Sequence, residues 1–186
     1  MSELATFSLS PFESLPESTM LSITGSLSRK NDQLTISYLM SGDVDAVVLP
    51  SFNTTDVRED RLWESTCFEF FLTAGAEKLD QSPYWEFNLS PTGAWNVFAL
   101  DGYRKGLREE TAFTQLPFSV SQSSEGVRLD ISVDLSGLEL SEPQWLLGVS
   151  AVCVLVGGEE TFWAIAHPSP EADFHSAGSF ILQLSA

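Results

Sequence analysis

The amino-acid sequence predicts an all-β chain folded as an antiparallel β-sandwich. Short runs rich in β-branched and aromatic residues recur along the chain, and almost no segment has the 3.6-residue period of an amphipathic helix. Turn-forming clusters separate these runs, among them Ser41-Gly42-Asp43, Asp101-Gly102 and Gly157-Gly158. Hydrophobic residues make up 43% of the chain, with 13 Phe and 5 Trp, and can therefore build a core that offsets the ordering entropy.

Each predicted strand is one such run, bounded by turn residues. In chain order the predicted strands are residues 5–9, 20–28, 33–39, 44–49, 67–73, 84–89, 94–100, 116–121, 127–134, 146–156, 161–166 and 180–184. Residues 74–81 could form one or two turns of helix. Residues 137–140 are too few to form a longer helix than that. Because no repeat, low-complexity segment or composition shift marks a boundary, we expect one domain over residues 1–186.

The charge of the chain excludes some classes of partner. Nine Lys and Arg stand against 26 Asp and Glu, giving a formal net charge of −17. This charge repels phosphate backbones and anionic lipid headgroups, so we expect neither nucleic acid nor a membrane as partner. A small neutral or cationic ligand meets no such repulsion.

The N-terminal residues and the cysteines indicate the cellular compartment. Residues 1–11 contain neither a basic stretch nor a continuous apolar stretch of the kind found in secretory signals, which predicts a cytoplasmic protein. Cys67 and Cys153 lie in apolar segments far apart in sequence, without metal or redox spacing. Two buried, reduced thiols are therefore expected, rather than a disulfide.

Residues 61–104 contain the polar side chains that could bind a ligand. Period-2 alternation places Phe68 and Phe70 on one face of their strand and Glu69 on the other, and the next two strands alternate in the same way. If the apolar faces form the core, a common opposite face carries Glu69, Glu86, Asn88 and Trp95.

A face with two carboxyls, an amide and an aromatic ring has the chemistry that sugar binding needs. Hydroxyls bind to the polar groups, and the C–H face of the sugar ring lies on the aromatic ring. The alternative interpretation is structural: Arg61 or Arg104 neutralises the buried glutamates, and Asn88 caps the Pro91–Gly93 turn.

Three stretches of this sequence resemble DOMON-like domains related to family 9 carbohydrate-binding modules. They are Arg61-Leu-Trp-Glu-Ser-Thr-Cys-Phe-Glu-Phe-Phe, then Tyr84-Trp-Glu-Phe-Asn-Leu-Ser-Pro-Thr-Gly-Ala-Trp with Asp101-Gly-Tyr-Arg, and Phe162-Trp-Ala-Ile-Ala-His-Pro with Asp173-Phe-His. The resemblance implies a jelly-roll-like sandwich whose concave face binds a sugar or, in other DOMON members, haem. By position it implies ligand-binding roles at that face for Trp63, Glu69, Glu86, Asn88, Trp95 and Arg104.

The two histidines define the redox and metal alternatives. Alternation places Trp163 and His167 on one side of their strand, so both are candidate ligand-binding residues at the rim of the sheet. His167 or His175 could ligate haem, with Met20 or Met40 as second axial ligand, although no haem-attachment motif occurs. A metal cluster of His167, Asp173 and His175 fits no familiar spacing.

The remaining alternatives have weaker signals. Carboxylates at Asp43, Asp45 and within residues 56–64 could bind Ca²⁺ but lack the regular calcium-loop spacing. The common catalytic motifs are absent, so we expect no enzyme, although Glu69 and Glu86 could in principle form a glycosidase acid and base pair. A further alternative is an interaction module that pairs through a sheet edge.

Overall fold

Extended strands make up nearly all of the regular structure in the computed structural model, which describes residues 4–16, 19–51, 56–75, 81–138, 140 and 142–185. The strands are β1 (Leu4–Pro11), β2 (Leu21–Lys30), β3 (Gln33–Gly42), β4 (Val57–Arg58), β5 (Cys67–Ala74), β6 (Tyr84–Leu89), β7 (Ala94–Leu100), β8 (Arg108–Glu109), β9 (Phe118–Ser123), β10 (Gly126–Asp134), β11 (Gln144–Val154), β12 (Glu160–Ala164) and β13 (Leu182–Ser185). Only single 3-10 turns accompany them in these ranges, and no helix there is long and apolar enough to cross a membrane. The prediction of an all-β chain is confirmed.

The strands pair in one continuous path that curls on itself. The order is β4-β7-β6-β5-β11-β12-β1-β2-β3-β10-β9, with β13 paired to β11 and β8 to β7. Strand β1 connects two groups of strands, because Leu4 to Leu9 pair with β2 whereas Ser10 and Pro11 pair with β12. The sheet is mixed, since the short β4 runs parallel to β7, and this differs from the wholly antiparallel prediction.

A common apolar core lies between the two groups of strands. The alternating residues of β2 and β3 face those of β5 and β6, and most of them are shielded from solvent. Tyr38 joins the two groups: its ring lies 5.1 Å from that of Phe68, and its hydroxyl donates to the Glu69 carbonyl at 2.7 Å. The core forms on the side that the period-2 pattern predicts for β5 and β6.

Most predicted strands are found with ends shifted by one to a few residues, but one is wrong. Residues 44–49 form a 3-10 turn, Val44–Ala46, and then an isolated bridge from Val47 to Leu155. The turn forms because the backbone N–H groups of Ala46 and Val47 bond back to Asp43 and Val44. The two-residue strands β4 and β8 were not predicted, and the predicted helical turn at 74–81 lies partly outside the described residues.

The turn between β6 and β7 sets the register of these strands. The Ser90 N–H bonds to the Ala94 carbonyl, and Gly93 takes a φ of 91°, a left-handed value that favours glycine. Asn88 therefore pairs with Asn96, and Leu89 with Trp95. Because paired residues point to the same side of a sheet, this turn decides which face of β7 joins the glutamates.

The C-terminal segment covers part of the sheet face that points away from the core. Phe71, Tyr84, Phe98 and Leu100 lie on this face, and Phe180 packs against them. Gly148 pairs with Phe71, and a Cβ atom at Gly148 would lie 2.8 Å from the Phe180 ring. The missing side chain thus lets the C-terminal segment approach the sheet, and the space left beside it is the cavity described next.

Candidate functional site

A cavity of about 610 Å³ lies on the outer face of β5 and β6, beside the C-terminal segment. Glu69 and Glu86 contribute to its lining from the strands, and Phe174 and His175 contribute from the C-terminal segment. Its volume is within the range of pockets that hold small molecules in proteins. Of the predicted site residues, the structure places Trp63, Glu69, Glu86 and Arg104 in this lining.

The two glutamates are diagonal neighbours on adjacent strands. Glu69 pairs with Asn88, and Glu86 pairs with Phe71, so both carboxyls project from the same face within one strand spacing. Glu69 is 2% exposed and Glu86 6% exposed. Their predicted alignment on one face is found.

Asn88 lies on the same sheet face as the two glutamates and holds Glu86 in place. It is fully buried, and its amide donates to Glu86 Oε1 at 2.8 Å. The expected cap on the following turn is made instead by Ser90 and Thr92, whose hydroxyls accept the N–H groups of Thr92 and Ala94. Asn88 therefore orients Glu86 rather than lining the cavity.

Neither of the predicted arginine partners forms an ion pair with the buried glutamates. Arg61 forms an exposed ion pair with Glu64. Arg104 bonds to Asp173 at 2.9 Å, and no described residue forms a salt bridge to Glu69. The structural alternative, a glutamate pair neutralised by these arginines, is thus not what the described residues form.

Burial is the main influence on the pKa values of the pair. Desolvation raises the pKa of Glu69 well above its usual range, and the nearby charge of Glu86 raises it further. Desolvation also raises the pKa of Glu86, against the hydrogen bond from Asn88 and the positive charge of Arg104, which lower it. The pair therefore holds a proton at pH values where exposed glutamates have lost theirs.

A chain of hydrogen bonds orients His175 toward Glu86. The Arg104 N–H donates to the Tyr84 hydroxyl at 3.2 Å, and the same hydroxyl shares a hydrogen bond of 2.8 Å with His175 Nδ1. The other nitrogen, Nε2, lies 3.8 Å from Glu86 Oε2. We expect the Tyr84 hydroxyl to donate to Nδ1, which places the histidine proton on Nε2. Burial and the charge of Arg104 lower the pKa of His175 to about 4, so the imidazole is neutral at pH 7.

Aromatic side chains form much of the cavity wall. Trp63 packs edge-on against Phe98 with ring centroids 5.8 Å apart, and Phe162 and Phe174 lie 6.2 Å apart in the same orientation. Trp63, Phe162 and Phe174 are half-buried, so part of each ring surface is open to a ligand. These rings supply the apolar surface of the site, for which the sequence had also predicted Trp95 and Trp163.

Trp95 and Trp163 were predicted to bind the ligand, and this prediction is wrong, because the structure places both side chains in the core. Both lie in the main core and are at most 2% exposed. The register pairs Trp95 with Leu89, a core residue, so Trp95 points away from Glu69 and Glu86. Trp163 likewise faces inward, and its indole N–H donates to Thr161 at 3.0 Å.

His167 lies outside the cavity. Its Nε2 bonds to the Ser10 carbonyl at 2.8 Å, and its ring packs on Phe12. Met40 is buried in the core and Met20 is 77% exposed, so neither is placed with His175 as an axial pair. No group of three metal-ligating side chains occurs in the part of the chain that the structure describes.

The acidic segments considered for Ca²⁺ have other partners. Asp43 accepts the Met20 N–H at 2.7 Å. Asp56 accepts the indole N–H of Trp95 and the Leu116 N–H. These carboxylates thus hold loops against the sheet.

Both cysteines are free and buried, as predicted. Val152 pairs with Cys67, so Cys67 and Cys153 point to opposite faces of the sheet. Desolvation raises the pKa of Cys153 to about 12 and that of Cys67 well above its usual value. Both thiols are therefore protonated and shielded.

Some residues at or beside the cavity were not among the ligand-binding residues predicted from the sequence, although His175 was considered as a haem or metal ligand. Period 2 already placed Tyr84 on the face of Glu86, but the contact that makes it relevant comes from His175. His175 and Phe174 follow Asp173 in a segment without strand periodicity, and Phe162 was noted only within the resemblance. Their positions depend on contacts between distant parts of the chain.

Comparisons with known proteins bear on the fold. No protein family model matches the sequence, and no curated protein matches it. Among solved structures, the chain is similar to one from Bacteroides uniformis described as a putative carbohydrate-binding protein. The identity is 12% and the TM-score 0.69, over 96% of this chain and 86% of that chain. The two proteins therefore share a fold.

Proposed function

We propose that this chain is a non-catalytic carbohydrate-binding protein whose sugar site is the cavity over β5 and β6. The observation that carries the proposal is that one cavity combines the buried carboxyls of Glu69 and Glu86 with the half-exposed rings of Trp63, Phe162 and Phe174. The Bacteroides uniformis protein has the same fold and is described as carbohydrate-binding, which supports the proposal.

The proposed contacts follow from the chemistry of a sugar ring. Its C–H face packs on an aromatic ring of the wall, because both surfaces are apolar. Its hydroxyls bond to the carboxyls at the floor, where a protonated glutamate donates and an ionised one accepts. The His175 Nε2–H group, fixed by Tyr84, offers a further donor beside Glu86.

The solved structure of the same fold favours binding over hydrolysis. Glu69 and Glu86 project from neighbouring strands of one sheet face, a placement that a glycosidase pair can also have. The Bacteroides uniformis protein is described as carbohydrate-binding and not as a hydrolase. We therefore propose a binding role for both and a catalytic role for neither.

We infer that the curled sheet is a variant of the jelly-roll-like DOMON sandwich in which β1 links the two layers. The core shared by the two groups of strands supports this. We also propose that residues 1–186 form one cytoplasmic domain, and that its partner is a small molecule rather than nucleic acid or a membrane, because the net charge of −17 repels phosphate groups and anionic lipids.

Calorimetric titration with a panel of monosaccharides and short oligosaccharides tests the proposal. We expect at least one sugar to bind, and Trp63→Ala and Phe162→Ala to weaken that binding about tenfold or more, because each removes apolar surface worth about 1.5 to 3 kcal/mol when fully covered. Phe118→Ala is the matched control, since Phe118 is a half-buried phenylalanine on β9 outside the cavity. A panel without any binder, or equal losses in Phe118→Ala, would refute the proposal.

A further inference from the structure

The charges that line the cavity are strongly unbalanced. Glutamates at positions 64, 69, 86 and 160 line it, against one arginine, Arg104, whose guanidinium is bonded to Asp173. His175 is neutral at pH 7 and adds no positive charge. Of the four carboxylates only Glu64 has an arginine partner among the described residues, namely Arg61.

The two buried glutamates have acceptor capacity that the described residues do not use. Glu69 is 2% exposed, and its only described side-chain hydrogen bond is from Ser150 at 3.4 Å. Glu86 Oε2 has His175 Nε2 at 3.8 Å, beyond hydrogen-bond length. A carboxylate can accept about four hydrogen bonds, so both groups face the cavity with free acceptor positions.

The aromatic rings beside these carboxyls also favour a positive charge. The faces of aromatic rings attract cations within about 6 Å, and the attraction strengthens where water is excluded. Phe71, Phe174 and Trp63 line the same cavity as Glu69 and Glu86. An ammonium group here would be attracted both by the carboxylates and by the aromatic ring faces. A neutral hydroxyl would have neither electrostatic attraction.

A second depression continues the acidic surface beyond Phe162. It has a volume of about 380 Å³ and shares Glu160, Phe162 and Ala172 with the first cavity. Its own lining adds glutamates 13, 159 and 171. An oligomer with an amine on each unit would therefore meet carboxylates along its length.

We propose that the ligand of this cavity is an amino sugar oligomer whose protonated amine sits against Glu69 and Glu86 and whose chain extends past Phe162. This inference rests on the proposed carbohydrate-binding function and specifies the class of sugar. The net charge of −17 also draws cationic ligands toward the protein. Burial raises the pKa of Glu69 and a bound ammonium lowers it, so binding at a pH between these two values releases a proton.

The test compares three trisaccharides of equal length: a glucosamine trimer, its fully N-acetylated form and a neutral glucose trimer. Near pH 7 we expect the glucosamine trimer to bind about thirtyfold or more tightly than the other two, because acetylation removes the charge. Its binding enthalpy should change with the ionisation enthalpy of the buffer, which reports proton release.

Variants assign the effect to the two glutamates. We expect Glu69→Gln and Glu86→Gln to bring the affinity ratio between glucosamine and N-acetylglucosamine trimers close to one. Glu59→Gln, which changes an exposed glutamate outside the cavity, should keep the wild-type ratio. Urea midpoints of each variant establish that it is folded before affinities are compared.

The outcomes separate the inference from the function on which it rests. If the neutral or acetylated trimer binds as tightly as the glucosamine trimer, amine recognition is overturned and carbohydrate binding stands. If none of the three trisaccharides binds, amine recognition is overturned, and the wider sugar panel decides the carbohydrate proposal. If spermidine, a polyamine without a sugar ring, binds as tightly as the glucosamine trimer, the cavity recognises amines and the carbohydrate proposal is overturned.

Discussion

Replacing Glu69 by glutamine is expected to stabilise the protein at neutral pH. Glutamine has nearly the shape of a protonated glutamate, and its carbonyl oxygen can keep the hydrogen bond from Ser150. The substitution therefore leaves the packing unchanged and removes only a group that is costly to ionise where it lies.

The sign follows from the direction of the pKa shift. The pKa of Glu69 is raised in the folded state, whereas an unfolded glutamate titrates near about 4.3. Above that pH the unfolded chain loses a proton that the folded chain keeps, so the wild-type free energy of unfolding falls as pH rises. The fall ends once pH passes the raised pKa of folded Glu69.

The slope of the stability difference with pH corresponds to the binding of one proton. Between the two pKa values, the free energy of unfolding of wild type should fall relative to that of Glu69→Gln by about 1.4 kcal/mol per pH unit. Below about pH 4, where the carboxyl is neutral in both states, the two proteins should differ by no more than about 1 kcal/mol.

Urea unfolding followed by tryptophan fluorescence, from about pH 4 to about pH 8, measures this difference. Glu59→Gln is the control, because it makes the same chemical change at an exposed position outside the cavity. A loss of stability in Glu69→Gln that grows toward neutral pH would refute the reasoning, since it would mean that an ionised, paired Glu69 holds the fold together.

Three further predictions concern buried groups. His175 should be protonated only at Nε2 at pH 7 in long-range proton–nitrogen NMR spectra. As pH falls from about 6.5 to about 4, the free energy of unfolding should decrease, because the histidine of the unfolded chain gains its proton first. Tyr38→Phe should cost about 1 to 3 kcal/mol in urea unfolding, because it leaves the buried Glu69 carbonyl without its donor. The thiols of Cys67 and Cys153 should not react with a chromogenic disulfide reagent until the protein is denatured.

Each of these has a defined contrary result. A spectrum with the His175 proton on Nδ1 would contradict the hydrogen-bond chain from Arg104 through Tyr84. Tyr103→Phe is the control for Tyr38→Phe: Tyr103 is 42% exposed, so its loss should change stability by less than about 1 kcal/mol. Rapid reaction of either thiol in the folded protein would contradict its burial.

Local alternation was enough to predict the strands around the site and one of its faces. In β5 and β6, period 2 places Phe68, Phe70 and Phe87 inward and Glu69 and Glu86 outward, and this is what the structure shows. The prediction works because successive side chains of an extended backbone must point to opposite sides, whatever the rest of the chain does.

The side of the sheet to which Trp95 points could not be predicted from alternation. Both faces of β7 carry large apolar residues and both are buried, so alternation separates Trp95 from Phe98 without saying which of them faces the core. The turn ending at Gly93 decides it by pairing Leu89 with Trp95, and a turn one residue longer or shorter would reverse both faces.

The tertiary structure alone decided the upper half of the cavity. His175 meets Tyr84 and Glu86, and Arg104 bonds to Asp173 instead of to a glutamate, across separations of many tens of residues. Such contacts depend on how the C-terminal segment packs on the sheet, and that packing minimises the free energy of the whole chain rather than of any local stretch. The sequence by itself thus determined the alternation of each strand, and global packing determined which distant side chains enclose the buried glutamates.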